Sequence, residues 1–374
     1  MLTNEMQMRA ELLGKVLETG VPPMQALDHA RQLWDFIDYG NNVIEECGVG
    51  PAGDVIGVMV SMDGIWQRFD GSGRELDWID FDRHPVYSRI RPVEQDGQAM
   101  VEIPAFYVRV DHEGGLLTWA ISDQPVNGFT LHPAFRCPDG TEASAIRVGA
   151  YAAGRRDDAM VTAAGLKPWT SIDFTSAQEQ CEAIGPGWRM WSIYDLSAIQ
   201  ILMMIEKGGA DMQTLIARGN VDGGGVLGGG ESNTRWRGLH ELWGNVWQMV
   251  DGLRIAADGT INLWSADRPG SGEWVSTGVK YGPGGLHGFP VSLHDERGDG
   301  FDLSLLFLPS EVTSDEDDAL IGDWVWGHWE GRETVAYHGG HWSNGSYAGL
   351  FSLNLYYAPS NSHTDIGARL AKVI

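Results

Sequence analysis

Glycine and tryptophan constrain the fold of this chain more than any other feature of its sequence. The 374 residues include 50 glycines and 16 tryptophans. Glycine at this density predicts many turns and bulges, because it adopts backbone angles that other residues avoid. Tryptophan fills a large core volume while its N–H still needs a partner, which suits a loop-rich fold. Composition therefore favours β and irregular structure over most of the chain.

The hydrophobic pattern divides the chain into three predicted parts. Residues 1–39 have apolar residues at helical spacing, interrupted by a Pro-Pro pair, and predict two helices. Residues 40–164 change to short apolar runs between turn residues, such as 55–60 and 101–110, and predict a β-rich domain. Residues 165–374 form the third part. The predicted class is α+β.

Two helices are predicted early in the third part. Asp173 or Thr175 caps the first, which continues through residues 177–184 to a Gly-Pro-Gly break. The second covers residues 192–207 and is apolar nearly all round, so we expect it to be buried. After Gly208, glycine, tryptophan and short apolar runs dominate to the end of the chain.

The charge and the cysteines exclude several classes of protein. A formal net charge of −25 disfavours nucleic acid or an anionic membrane as the partner. No stretch approaches the ~20 apolar residues of a membrane span, so no membrane insertion is expected. The N-terminus lacks the apolar core of a secretory signal, which predicts folding in a reducing cytoplasm. Cys47, Cys137 and Cys181 form no disulfide framework and no metal motif.

Two acidic segments, residues 295–300 and 314–318, contain the oxygen ligands that Ca²⁺ prefers. Neither has EF-hand spacing, so solvated surface loops are favoured, with a structural Ca²⁺ site as the alternative. The sequence contains no Walker-type phosphate loop, no zincin helix and no nucleophile elbow. It therefore predicts no catalytic residue and no cofactor beyond that alternative.

A specific resemblance begins at residues 236–251, WRGLHELWGNVWQMVD. Residues 186–191 (PGWRMW), a Gly-Gly-x-Trp at 339–342 and a Gly-Ala-Arg at 367–369 complete the set. In this order, the motifs resemble the formylglycine-generating-enzyme type of C-type-lectin-like fold over about residues 165–374. The resemblance implies that fold, with Gln248 where glutamate is usual. It also implies scaffold roles for five residues, namely Gly339, Gly340, Trp342, Gly367 and Arg369.

The enzymatic function of that family is not expected here. Its enzymes activate oxygen with cysteines in the C-terminal half, whereas no cysteine follows Cys181. No other residue present can replace a thiolate in that chemistry. The scaffold is therefore expected to bind a ligand without covalent chemistry. A formylglycine-generating type of oxidase and a structural virion protein stay as alternatives.

Residues 338–370, HGGHWSNGSYAGLFSLNLYYAPSNSHTDIGARL, use an unusually narrow set of polar residues. Between His341 and Asp365 there is no Lys, Arg, Glu or Gln, although the chain is highly charged. The codons AGC, TAC, CAC, GAC and ACC, for Ser, Tyr, His, Asp and Thr, each differ from the Asn codon AAC at a single adenine. The segment therefore reads as an asparagine-rich ancestor whose adenines have been randomised.

This pattern closely resembles the variable proteins of diversity-generating retroelements, which change by adenine-specific mutagenic reverse transcription. Residues 100–135 also resemble phage tail proteins that carry such domains. The resemblance implies a hypervariable binding surface at residues 338–369, placed on a virion tail and directed at a protein or glycan receptor of the host cell. A variable binding protein of bacterial chromosomal origin, located in the cytoplasm, is the alternative. A homotrimer is implied by the resemblance alone.

We predict that the ligand contacts the polar side chains of this segment. Tyrosine supplies rigid contact area, and serine and asparagine supply adaptable hydrogen bonds, as in antibody paratopes. The apolar residues between them are expected to anchor the backbone in the core. The predicted contact residues are His341, Ser343, Asn344, Ser346, Tyr347, Asn354, Tyr356, Tyr357, Asn361, His363 and Asp365.

Overall fold

The computed structural model describes residues 54–61, 64–76, 78–113, 116–282, 285–329 and 331–374. The predicted helical pair at 1–39 and Cys47 lie outside these residues. Among the described residues, 54–79 and 107–130 form one compact unit, and 80–106 and 131–374 form a second. The domain boundary predicted at residue 165 falls within the second unit and stays a prediction.

The described residues are mostly β, with few helices. Up to residue 161 the strands are β1 (Ile56–Ser61), β2 (Trp66–Asp70), β3 (Arg91–Gln95), β4 (Gln98–Pro104), β5 (Tyr107–Glu113), β6 (Leu116–Ser122), β7 (Thr130–Leu131), β8 (Ala145–Gly149), β9 (Gly154–Arg156) and β10 (Ala159–Val161). Next come α1 (Phe174–Glu182), β11 (Trp188–Met190), α2 (Ile193–Lys207), α3 (Met212–Leu215), β12 (Arg235–Trp236), β13 (Leu239–His240), β14 (Trp247–Ile255), β15 (Thr260–Trp264) and β16 (Trp274–Lys280). The last are β17 (His287–Leu293), β18 (Arg297–Gly298), β19 (Phe301–Asp302), β20 (Pro309–Thr313), β21 (Val325–Gly327), β22 (Thr334–His338), β23 (Leu353–Leu355), β24 (Ile366–Ala368) and β25 (Leu370–Val373).

The first unit contains a sheet of order β2-β1-β6-β5-β7, and the pairs from β2 through to β5 are antiparallel. Its hydrophobic cluster comprises Met59, Phe69, Leu116 and Ala120. The apolar run at 55–60 therefore does form a strand, as predicted. The run at 101–110 instead divides into β4 and β5, which belong to different units. Pro104 ends β4 because it has no N–H to extend the ladder.

The second unit contains two larger sheets. One has five strands in the order β11-β25-β8-β4-β3. The other has nine strands, in the order β16-β15-β14-β22-β23-β21-β17-β20, with β24 paired parallel to β14. Three hairpins, β9-β10, β12-β13 and β18-β19, form separate two-stranded ladders.

Both predicted helices of the third part are confirmed, and each begins at a capping residue. Asp173 caps α1 by accepting a hydrogen bond from the Ser176 N–H at 2.9 Å. Ser192 and Asp195 form a capping box at the start of α2, and Gly208 ends it in the left-handed conformation. Residues 193–205 of α2 are all buried, so this helix forms much of the core.

The C-terminal segment is fixed at both ends by sheets of the second unit. It begins at the end of β22, in the nine-stranded sheet, and passes through β23 of the same sheet. It then enters β24 beside β14, and the chain ends in β25 between β11 and β8 of the five-stranded sheet. The loops between these strands are therefore held on a rigid frame. None of the described helices is both long enough and apolar enough to cross a bilayer.

Candidate functional site

The loops between β22, β23 and β24 hold all the predicted contact residues except Asn354, which lies within β23. The predicted residues differ in exposure. Ser343, Ser346, Tyr347, Tyr356 and His363 are exposed, whereas His341, Asn344, Tyr357, Asn361 and Asp365 are half-buried and Asn354 is buried. The apolar residues between them, Leu350, Phe351, Leu353, Leu355 and Ile366, are buried, and Trp342 is half-buried. The exposed side chains thus lie in the loops on either side of a continuous buried run at residues 348–355.

Three of the predicted residues meet around one carboxylate. The Nδ1 atom of His363 lies 2.5 Å from Asp365 Oδ1, and the Nε2 atom of His341 lies 3.5 Å from Asp365 Oδ2. Burial lowers the pKa of His341, and the charge of Asp365 opposes this effect. The main chain of Asp365 is fixed, because its carbonyl accepts the Trp247 N–H at 2.8 Å. The structure therefore brings these residues together as one polar cluster.

Two predicted asparagines use their side chains to hold the backbone. Asn344 Oδ1 accepts the N–H of His341 at 2.7 Å, which closes the turn at 341–344. Asn354 Oδ1 accepts the N–H of Tyr356 at 3.0 Å as the chain leaves β23. Their acceptor oxygens shape the loops that carry His341 and Tyr356.

Tyr347 is 44% exposed and packs against residues from outside the predicted segment. Its ring centroid lies 4.8 Å from that of Trp324 and 5.8 Å from that of Phe289. Its carbonyl also accepts the Trp324 N–H at 3.2 Å. The side chain of Tyr347 is therefore exposed, and its contacts with Trp324 and Phe289 hold it in place.

The pair Tyr356 and Tyr357 forms a second aromatic group on this segment. Tyr356 is 38% exposed, and its ring stacks on His328 with a centroid distance of 5.5 Å. The guanidinium of Arg332 lies 5.0 Å from the centre of the Tyr356 ring. Tyr357 stacks on the buried Tyr337 at 5.7 Å, and burial raises the pKa of Tyr357. Tyr356 is thus the more accessible of the two tyrosines.

A stripe of three aromatic residues, Trp324, Trp326 and His328, was not predicted from the sequence. We call it the fixed stripe, since it lies outside residues 338–369. Trp326 lies within β21 and the other two flank it, so the three alternate with the buried Val325 and Gly327, and all three are half-buried. Because β21 pairs parallel with β23, Trp326 lies beside Asn354. The sequence could have indicated the fixed stripe, because aromatic residues occupy every second position of 324–328, WVWGH.

Arg369 is completely buried and holds three segments together. Its Nε donates to Gln248 Oε1 at 2.6 Å, its Nη1 to the Gly149 carbonyl at 2.6 Å and its Nη2 to the His240 carbonyl at 2.7 Å. Burial lowers its pKa to about 10, and the charge of Glu241 opposes this effect. Arg369 therefore links the five-stranded sheet to β13 and β14.

Gln248, which stands where the resembled motif usually has glutamate, uses both ends of its amide group. Its Oε1 accepts from Arg369, while its Nε2 donates to the carbonyl of Glu241 at 2.7 Å. A glutamate could accept the first hydrogen bond, but it could not donate the second. The amide is therefore matched to both of its neighbours.

The predicted scaffold glycines lie at close backbone approaches. Gly339 and Gly340 have φ values of 95° and 77°, which favour glycine. A Cβ on Gly339 would lie 2.9 Å from the Leu242 carbonyl oxygen. Gly367 lies in β24, beside Gln248 of β14. Trp342 is tied to the glycine-rich segment at residues 223–230, since its carbonyl accepts the Gly223 N–H at 2.7 Å.

A buried carboxylate, Asp323, fixes the middle of the segment. Its Oδ2 accepts the Phe351 N–H at 2.7 Å. Gly349 packs so closely on this carboxylate that a Cβ would overlap it. Burial raises the pKa of Asp323 well above its usual range. This buried acid therefore holds the backbone between Tyr347 and β23 in place.

Buried histidines should make the fold sensitive to acid. Burial lowers the pKa of His338, which lies 2.7 Å from the Leu350 carbonyl, to about 3. Burial also lowers the pKa of His132, beside Ser197, to about 3. The unfolded chain binds these protons near pH 6.5. Stability that is present above pH 6.5 is therefore lost as the pH falls towards 3, by up to about 1.4 kcal/mol per pH unit for each histidine.

Denaturant unfolding at several pH values between about 7 and 4 measures this effect. His338→Gln keeps a donor for the Leu350 carbonyl and should lose less stability over this range than the wild type. His287→Gln, at an exposed histidine of β17, is the matched control. An unchanged pH dependence in the His338 variant would contradict the assignment of a neutral, buried imidazole.

The described residues contain no group of three or more His, Cys, Asp or Glu placed to hold a metal ion. Cys181 is buried and Cys137 is half-buried, and both are free thiols. Burial raises the pKa of the Cys181 thiol, which keeps it protonated and unreactive. The site instead offers aromatic faces, hydroxyls, amides and imidazoles on a rigid frame, which suits non-covalent recognition.

Several solved structures are similar to this chain. PvdO from Pseudomonas aeruginosa has 13% identity and a TM-score of 0.36, covering 75% of this chain and 96% of that one. Treponema denticola variable protein 1 has 10% identity and a TM-score of 0.35, covering 76% and 99%. The I1 variant of the Major Tropism Determinant, from a Bordetella phage, has 15% identity and a TM-score of 0.32, covering 87% and 73%. The sequence matches no family model and no curated protein.

Proposed function

We propose that this chain is a non-enzymatic binding protein with a hypervariable surface at residues 338–369, carried on a C-type-lectin-like scaffold. The surface recognises a protein or glycan receptor on a host cell, from the tail of a phage. One observation carries the proposal: the Ser, Tyr, His, Thr and Asp side chains of this segment, residue types that have a codon one adenine away from AAC, are mostly exposed, while the apolar residues between them are mostly buried. Substitutions at the exposed positions change recognition and leave the fold intact.

The chemistry of the exposed positions supports this role. Tyr347 and Tyr356 are large, exposed and held by neighbouring rings, so they lose little conformational entropy on binding. Ser343, Ser346 and His363 are exposed and offer hydroxyl and imidazole hydrogen bonds. The half-buried and buried members of the predicted set, such as Asn354, shape the loops that present these contacts.

A bacterial variable protein of the same design is the alternative setting, because the binding surface would be identical. A structural virion protein would need Tyr347 and Tyr356 to be covered by a neighbouring subunit. Trimerisation, proposed from the family resemblance, would raise a weak single-site affinity through avidity.

Sequencing the coding DNA across a propagated population tests the proposal. Substitutions are expected at the codon positions that correspond to the two adenines of AAC, at exposed residues such as Tyr347, Tyr356 and His363. The codons of Trp342 and Gly339 should stay constant in the same reads, as the internal control. A nearby adenine-rich copy of the segment and a reverse transcriptase gene are expected as well. Substitutions spread evenly over the gene, or none in this segment, would contradict the proposal.

A further inference from the structure

One end of the binding surface is an aromatic cluster, most of whose residues lie outside the proposed variable segment. The ring of Trp324 lies 4.8 Å from that of Phe289 and 4.8 Å from that of Tyr347, measured between centroids. The ring of Trp326 lies 6.3 Å from those of Trp324 and Tyr347. Of these four residues, only Tyr347 belongs to the variable segment. Any ligand that covers Tyr347 therefore also meets aromatic rings that lie outside the proposed variable segment.

A run of exposed carboxylates, which we call the acidic rim, lies next to this cluster. It comprises Asp315, Glu316, Asp317 and Asp318, all of them exposed. It begins two residues after Thr313, which pairs with Phe289 across β17 and β20. On its other side, Glu316 Oε1 lies 3.6 Å from the position that a Cβ on Gly322 would take.

The rim carries uncompensated negative charge. No ion pair joins any of its carboxylates to a Lys, Arg or His in the described part of the chain. The charge of Glu316 also contributes to the raised pKa of the buried Asp323, as does that of Asp211. The aromatic cluster therefore lies in a locally negative field, within a chain of net charge −25.

These features favour a cationic occupant. The faces of tryptophan and tyrosine rings attract ammonium and guanidinium groups, most strongly at tryptophan. The same surface already shows this contact internally, because Arg332 lies over the ring of Tyr356 at 5.0 Å. A neutral glycan would stack on the rings but would leave the rim without counter-charges. A peptide with basic side chains can place a cation on the aromatic rings and also pair with the carboxylates of the acidic rim.

We propose that the fixed end of the surface binds a Lys- or Arg-bearing polypeptide segment of the receptor. One basic side chain lies over the rings of Trp324 and Tyr347, and its neighbours pair with the acidic rim. This inference rests on the proposed function and narrows its ligand class. The fixed residues supply an affinity common to all variants, and the variable positions select among basic segments.

Titration of the full chain with an acetylated and amidated Lys-Gly repeat peptide tests the inference, by calorimetry and tryptophan fluorescence at low salt. The matched probe is the same peptide with every lysine side chain acetylated. The lysine peptide should bind roughly tenfold more tightly than the neutral peptide. Equal binding of the two peptides would overturn the inference, as would binding of methyl glucoside or phosphatidylcholine vesicles without binding of the lysine peptide.

Two triple variants distinguish the effect of the acidic rim on peptide binding from the effect of the overall negative charge of the protein. The combination of Glu316→Gln, Asp317→Asn and Asp318→Asn should weaken binding of the lysine peptide roughly tenfold. The control combines Glu94→Gln, Asp157→Asn and Glu182→Gln, which removes the same charge at exposed positions elsewhere. The control should change the affinity less than about twofold. Equal losses in both variants would overturn the inference.

The two proposals fail in different ways. If the lysine peptide does not bind but the codons of Tyr347 and Tyr356 vary in the population, the basic ligand is wrong and the variable surface stands. If the lysine peptide binds through the rim and those codons never vary, the fixed site is supported and the variable surface is wrong.

Discussion

Replacing Arg369 with methionine should lower the free energy of unfolding by about 3 to 5 kcal/mol. Methionine retains much of the apolar stem but donates nothing. The carbonyls of Gly149, His240 and Glu241 and the side-chain oxygen of Gln248 would each lose a donor from this side chain. A buried acceptor without a partner costs about 1 to 3 kcal/mol. The loss of stability therefore arises from the buried acceptors that lose Arg369 as a donor, rather than from removal of the guanidinium charge.

Denaturant unfolding of the wild type and the Arg369→Met variant measures this loss. Arg83→Met is the matched control, because the Arg83 side chain is 88% exposed and pairs with Asp80 at the surface. The control should change stability by less than about 0.5 kcal/mol. Similar losses in both variants would mean that the buried hydrogen bonds contribute little to the frame of the binding surface.

Local signals made part of the fold predictable. Asp173, one of the two caps that the sequence allowed, and Ser192, the first residue of the predicted second helix, cap their helices through hydrogen bonds from residues three positions ahead. The burial of α2 follows from its nearly continuous apolar face. The division of the 101–110 run was missed because two strands of similar composition, separated at Pro104, join different sheets.

The binding surface was only partly predictable, because it combines segments that are distant in sequence. Codon chemistry singled out Tyr347 and Tyr356, but nothing local indicates which tyrosine is exposed. The role of Trp324 and Trp326 depends on the parallel pairing of β21 with β23, which no short-range pattern specifies. Motif resemblance identified Arg369, whereas its carbonyl partners on β8 and β13 follow from tertiary structure alone.

Replacing both Tyr347 and Tyr356 with alanine should weaken receptor binding at least about 100-fold. Buried interface tyrosines are common hot spots and often contribute 2 kcal/mol or more each. Both side chains are exposed in the free protein, at 44% and 38%. Their removal should therefore cost little stability, apart from the contacts of Tyr347 with Trp324 and Phe289.

Binding of the fluorescently labelled full chain to intact bacterial cells, strain by strain in a flow cytometer, tests the central claim most directly. Strains that bind the wild type should lose the signal with the double tyrosine variant. They should retain it with Trp78→Ala, which removes an aromatic side chain that is 78% exposed outside the variable segment. Binding by the double variant within about twofold of the wild type would contradict a recognition surface at residues 338–369.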